Sequence, residues 1–218
     1  MSRSRNAAAW TWVAALAVGP VTAIAPAAAN AAVTPATVVQ SYYKNPLRRI
    51  HNLYAKRIDE GVDYSGSGPV KALGDAVITV VAHGSSHFWA NQGGNVVVER
   101  LQNGPLAGIS VYNSENCTPN PALHTGDQVT ATTTLCHLHN HFPYMEIGFA
   151  QNNTSGVPAA WPIYRTVPDG SKTAYGVDFS HLLGDLAAPQ GNTNHGTGDQ
   201  SYHPRKTIGK LPRGFPRF

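Results

Sequence analysis

Apolar and polar residues alternate with a period of two along the middle of the chain. Val77, Thr79 and Val81 take one side of a run whose other side is Ile78 and Val80, and Val96-Val97-Val98 and Ile109-Ser110-Val111-Tyr112 are further short β-branched runs. Side chains that repeat every second residue share one face of a strand, so strands are predicted between Val70 and Ala150. Turn chemistry separates them at 91–95, at Asn103-Gly104-Pro105 and at Thr125-Gly126-Asp127. Short strands at this spacing, without long helices, predict an all-β domain, an antiparallel sandwich or small barrel. A helical period appears once: Phe179, Leu182, Leu183 and Leu186 form an apolar stripe between Asp178, a candidate N-cap, and Pro189, a stop. One short C-terminal helix is therefore expected. Residues 151–177 read as a loop that packs Trp161 and Tyr164 on the sheet edge.

The ends of the chain differ from this middle. Arg3 and Arg5 precede an apolar stretch from Ala7 to Ala25, and Ala29-Asn30-Ala31 supplies small residues for cleavage. That is the pattern of a secretory signal peptide over 1–31. Gly19-Pro20 interrupts the stretch and no basic stop-transfer cluster follows, so no transmembrane segment is expected after cleavage. A connector over 32–56, a β domain over 57–190 and a basic, flexible tail over 191–218 complete the expected organisation. Residues 33–190 hold nine Lys and Arg against eleven Asp and Glu, whereas residues 191–218 hold five against one. The folded part thus lacks the basic stripe of a nucleic-acid partner. Cys117 and Cys136 are the two cysteines. In an oxidising compartment they are expected to form a disulfide rather than supply two metal ligands, contributing roughly 3 kcal/mol.

One motif sets the chemistry. Arg57-Ile58-Asp59-Glu60-Gly61-Val62-Asp63-Tyr64 places two acids four apart across a glycine, and Ser65-Gly66-Ser67-Gly68-Pro69-Val70 leads from it into the sheet. With Val111-Tyr112, His124-Thr125-Gly126-Asp127-Gln128-Val129 and Tyr144-Met145-Glu146-Ile147, this stretch resembles the secreted M23 (lysostaphin/LytM-type) zinc endopeptidases. The resemblance implies an antiparallel β fold with a groove across it. Asp59 stands at the position of that family's first zinc-binding histidine. On the Glu146-Ile147 anchor, Phe142 and Tyr144 stand at the positions of its closing His-x-His pair. The scaffold reads as kept and the zinc site as lost. A nearer resemblance is to a degenerate branch of bacterial secreted proteins, whose patterns recur here at 57–70, 111–116, 145–150 and 173–183.

Four acids, Asp59, Asp63, Glu115 and Glu146, are the candidate catalytic cluster. Close carboxyl groups cannot all ionise, so one acts as acid and another as base or nucleophile, which is the arrangement that cleaves glycosidic bonds. The same acids suit calcium, or they simply tie down a turn. Cys136-His137-Leu138-His139 offers a second register, in which Asp59, Asp63 and His139 hold zinc with His137 as base. Tyr112, Phe142 and Tyr144 are candidate binding aromatics, with core packing as the alternative. No cofactor is expected on the first reading; zinc or calcium is the alternative. The expected role is a secreted, cell-wall-associated domain that binds peptidoglycan or another wall glycan, or regulates a partner hydrolase. The alternative is a peptidoglycan hydrolase, working through Asp63 and Glu146 or through residual zinc.

Overall fold

A period of two lets one strand serve two surfaces, and the sheet of this protein is built that way. The computed structural model describes residues 35–84, 88–92, 94–191 and 207–218; the signal peptide expected over 1–31 lies outside them. In chain order the elements are α1 Pro35–Tyr42, β1 His51–Ile58, β2 Val62–Lys71, β3 Ala76–His83, β4 Asn95–Leu101, β5 Ser110–Glu115, β6 Cys117–Pro119, β7 Gln128–Val129, β8 Thr134–Leu138, β9 Met145–Ala150, α2 Trp161–Tyr164 and α3 Ala174–Asp185. The strands form one antiparallel sheet in the order β6-β8-β2-β9-β5-β4-β3-β7, with β1 also paired to β2. The expected antiparallel β architecture is present, with few and short helices.

β2 changes neighbours halfway along. Val62, Asp63 and Tyr64 pair with β9, whereas Gly68 to Lys71 pair with β8. This division decides which later residues can meet the Asp59–Asp63 motif. The Cys117–Cys136 disulfide is formed and ties β6 to β8.

Val62, Tyr64, Val111, Met145, Ile147 and Phe149 face one side of the sheet and join the main core. α3 covers that side, with Phe179 standing edge-on to Phe149 at a ring separation of 4.8 Å. The helix starts earlier than its stripe suggests. Thr173 is the N-cap, its hydroxyl accepting from Gly176 N at 3.0 Å, while Asp178 instead accepts from Phe218 N. A threonine satisfies a free helical amide as well as an aspartate does, so either residue could have started the helix.

Two segments pack more closely than their sequences suggest. The stretch read as a connector supplies α1, β1 and the buried Val39, Tyr43 and Leu47, and the Tyr43 hydroxyl donates to Asn103 O and accepts from Leu106 N. Residues 207–218 dock on the domain: Ile208 bridges to Thr173, and Phe215 stands edge-on to Phe149 and Tyr175. Widely spaced apolar anchors among charges leave no periodic trace, although each buries a large side chain. Among the described residues no helix is long and apolar enough to cross a membrane.

Candidate functional site

Strand register builds the site. Asp63 points away from the core between Val62 and Tyr64, and its partner across β9 is Glu146, between the buried Met145 and Ile147. The Gly61 turn brings Asp59 back beside them, with Asp59 N donating to Gly61 O at 3.2 Å. Carboxyl oxygens of Asp59, Asp63 and Glu146 all lie within 4.8 Å of one another. These residues are only 1, 5 and 3 % exposed, respectively.

Among the described residues, one guanidinium makes ion pairs within the cluster. Arg57 Nε lies 2.7 Å from Asp59 Oδ2 and 2.9 Å from Asp63 Oδ2, and Nη1 reaches Asp169 Oδ2 at 3.4 Å. The Tyr112 hydroxyl donates to Glu146 Oε1 at 2.7 Å. The Tyr164 hydroxyl donates to Asp169 Oδ1 at 2.7 Å, accepts from Gly170 N and lies 3.5 Å from Asp59 Oδ2. Among the described residues, buried Asp59 Oδ1 and Glu60 Oε1 have no hydrogen-bond partner.

Two glycines and one helix hold this geometry. A Cβ on Gly148 would lie 2.8 Å from the Tyr112 hydroxyl, and one on Gly61 would lie 2.6 Å from it. Both positions therefore stay bare so that Tyr112 can reach Glu146. On the far side, Thr173 donates its hydroxyl to Asp59 O at 2.6 Å, and a Cβ on Gly176 would collide with Asp59 O. The start of α3 thus clamps the turn that carries the acids. Thr173, Gly176 and Phe179 belong to the pattern at 173–183, which in sequence marked ancestry alone.

The electrostatics follow from burial with one cation among many acids. Burial raises Asp59, Asp63 and Glu146; Arg57 pulls the two aspartates back, while neighbouring carboxylates push Asp63 and Glu146 further up. Glu60 is pushed up to about 9 and Glu115 to about 8, by burial first and then by the charge of Asp59. Burial acts against Asp169 as well, but the Tyr164 hydrogen bond and the Arg57 charge outweigh it and leave Asp169 below its ordinary value. Burial likewise opposes the Arg57 charge, and Asp59, Asp63 and Asp169 overcome it, so Arg57 stays cationic. At neutral pH the cluster holds protonated carboxyl groups beside an ionised one paired with Arg57. It opens into a cleft of about 460 Å³ lined by Glu60, Glu115, Glu146, Phe88, Trp161 and Asp169 among others.

Other candidate residues lie elsewhere. Tyr112 is fully buried against Trp89, with ring centres 5.3 Å apart, so it presents its hydroxyl to Glu146 and no face to a ligand. Phe142 and Tyr144 sit together outside the cleft lining, before β9. His139 is not brought to Asp59 and Asp63: it is exposed, its Nε2 lies 3.1 Å from Thr118 Oγ1, and its ring stacks on His141. The cause is the division of β2, since β8 pairs with the half away from the acids and β9 with the half that bears Asp63. His137 on β8 is also exposed, opposite Pro69 and Thr118. Four residues at the site went unselected in the sequence. Arg57 and Glu60 lay inside the motif as its flanks, while Tyr164 arrives from the end of α2 and Asp169 from the loop after it, where no spacing marks them.

Zinc, which the M23 resemblance implies, requires donors of the right kind. Structural and catalytic zinc sites use mainly histidine and cysteine. Among the described residues the group here is three carboxyls and no histidine, and Arg57 already sets a positive charge against one oxygen of each aspartate. This donor set does not fit zinc.

No family model and no curated protein matches the chain. Among solved structures it is similar to the antimicrobial peptidase lysostaphin from Staphylococcus simulans, with 19% identity, 62% of this chain and 63% of that chain covered, and a TM-score of 0.37. It is also similar to a putative peptidase M23 from Pseudomonas aeruginosa, with 17% identity, 54% and 48% covered, and a TM-score of 0.34. The match spans less than two thirds of either of those chains.

Proposed function

We propose that this chain is a secreted hydrolase of bacterial cell-wall glycan, cleaving with the carboxyl pair Asp63 and Glu146 rather than with histidine-held zinc. One observation carries the reading: Asp59, Asp63 and Glu146 have oxygens within 4.8 Å of one another beside the Arg57 guanidinium, and Glu146 and Arg57 line an aromatic-walled cleft. The wall glycan as substrate, and secretion, rest on the sequence resemblance and on the signal peptide.

Glycosidic cleavage needs a proton for the leaving oxygen and a carboxylate for the anomeric carbon. Glu146 lines the cleft, is raised well above an ordinary glutamic acid by burial and its neighbours, and so carries the proton. Asp63, directly across the strand pair, is raised by burial and by the charge of Asp59 and pulled back by Arg57 Nε at 2.9 Å, and it attacks as the anion when that guanidinium holds its charge. Proton transfer from Glu146 to the glycosidic oxygen breaks the bond to the leaving sugar, and Asp63 forms an ester at the anomeric carbon. Glu146, now ionised, then takes a proton from water, whose oxygen displaces Asp63. A separation below 4.8 Å is nearer the roughly 5–5.5 Å of retaining pairs than the roughly 6.5–9.5 Å of inverting ones, so the anomeric configuration is retained.

A second reading has its own support. Arg57 engages both aspartates, so the cluster also suits a domain that binds peptidoglycan, or regulates a partner hydrolase, without cleaving. An oxygen-only donor set is of the kind calcium takes, although the same guanidinium opposes it. Mass spectrometry of soluble products after incubation with purified peptidoglycan separates these readings. New reducing glycan ends, lost in Asp63→Asn and in Glu146→Gln and unaffected by a chelator, are the expected result. Loss on chelation would return the chemistry to a metal. No new ends, with the protein sedimenting on the wall, would leave the binding domain.

A further inference from the structure

The sheet face that carries the acids continues past them onto a surface the proposed reaction does not use. Tyr54 and Lys56 reach it from β1, and Phe142 and Tyr144 from the segment entering β9. Lys56 Nζ lies 4.5 Å from the centre of the Tyr54 ring and 4.8 Å from that of Tyr144. Phe142 stands edge-on to Tyr144, with ring centres 5.7 Å apart. Tyr54 is 56 % exposed and Phe142 80 %, the two largest exposures among the large hydrophobic side chains described.

Register places this surface beside the site. Tyr144 lies two residues before Glu146 and shares its face, and Ser65, two residues beyond Asp63, pairs with Tyr54. Two residues of strand measure about 7 Å, so the ring cluster begins one side-chain row from the acids. Lys56 makes no ion pair among the described residues, whereas Arg57 next to it makes three. A cation set between exposed rings, with no anion of its own, is complementary to a ligand with an apolar face and a negative charge.

We propose that Tyr54, Lys56, Phe142 and Tyr144 form a subsite for a sugar ring bearing a free carboxylate. The occupant is a wall glycan strand stripped of its peptides, whose muramic acid residues expose their lactyl carboxylate. The rings take the C–H faces of the sugar and Lys56 takes the carboxylate. A strand that still carries peptides has an amide at that position and offers Lys56 no charge. The neighbouring acids do not repel such a ligand, because Arg57 offsets the ionised one and burial keeps the others protonated. Naming the strand rests on the proposed function; the carboxylate preference rests on Lys56 and the rings.

Calorimetric titration of the full chain tests this with three tetrasaccharides. One is a wall tetrasaccharide with free lactyl carboxylates, the second is the same molecule with those groups amidated, and the third is an N-acetylglucosamine tetramer. The free carboxylate is expected to bind about five-fold tighter than the other two, the size of a partly exposed ion pair. Lys56→Gln should abolish that preference, Lys56→Arg should keep it, and Phe142→Ala should weaken all three ligands alike. Equal affinity for the three, or a preference untouched by Lys56→Gln, overturns the subsite. So does self-association through this face without saccharide binding, detected by sedimentation. Cleavage that ignores Lys56 would remove the subsite and leave the hydrolase, whereas Lys56-dependent binding without cleavage would do the reverse.

Discussion

β2, β5 and β9 are buried on both faces, yet the two faces carry opposite chemistry. Toward α3 they present Val62, Tyr64, Val111, Met145, Ile147 and Phe149; toward the cleft they present Asp63, Tyr112, Ser114 and Glu146. Residues one position apart on the same strand therefore meet either a packed hydrocarbon core or a cluster of acids. On the first face burial stabilises, because apolar area leaves water. On the second, burial removes water from carboxyl groups, and one guanidinium, two tyrosine hydroxyls and retained protons make up part of what is lost. Such a face is hard to explain as a contribution to stability and easier to explain as a site.

The largest expected effects set the two faces against each other. Phe149→Ala removes a ring packed on Phe179 and Phe215 and should cost about 3–5 kcal/mol in denaturant unfolding. Glu146→Gln, three positions earlier on β9 and on its opposite face, replaces a protonated acid by its isostere and should change stability by under about 1 kcal/mol while abolishing cleavage. Equal destabilisation by the two would make the acid face structural. Gly148→Ala should fall between them, at about 1–3 kcal/mol, since its Cβ meets Gly61 Cα and the Tyr112 hydroxyl, each at 2.8 Å. That variant also moves Tyr112 off Glu146, so activity should fall further than stability does.

A gentler test uses pH. Glu60, Glu99 and Glu115 are pushed up to about 9, 8 and 8, from 4.5, by burial above all. Above 4.5 the native chain keeps protons that the unfolded chain has released, so this contribution is full at lower pH and is lost as pH rises through 8 to 9. Tm should accordingly decline from pH 5 to pH 9, and Glu99→Gln, at a buried carboxyl that accepts from Leu73 N, should flatten part of the slope. A Tm that rises over this range would contradict the buried, protonated state of these acids.

How much of this was legible in the sequence follows from the range of each interaction. The alternating strands after Val70 were, because alternation is local, whereas β1 and most of β2 form where a connector and a glycine-rich turn were expected; the motif at 57–64 located two of the acids. Thr173 and Gly176 were visible as a pattern but not as a clamp, because their contacts with Asp59 span more than a hundred residues. His139 attracted attention by spacing alone; only the change of partner along β2 shows that β8 never reaches Asp63. Tyr164 was read as a packing aromatic rather than a site residue, and Asp169 carried no local mark. The basic tail read as solvated because charge dominates its composition, and two aromatic anchors, Phe215 and Phe218, suffice to dock its end.

The central claim is that the cleft holds carboxyl groups that keep their protons at neutral pH beside one that does not. Carbon-13 NMR of side-chain carboxyls, titrated from pH 4 to pH 10 and assigned with Glu60→Gln, Glu115→Gln and Glu146→Gln, reads it directly. Midpoints near 8 for Glu115 and near 9 for Glu60, with Glu146 still protonated at neutral pH, are the predicted result. Ordinary midpoints near 4.5 for all three would leave an ionised cluster with no acid to donate, and the proposed glycan cleavage would have no proton source.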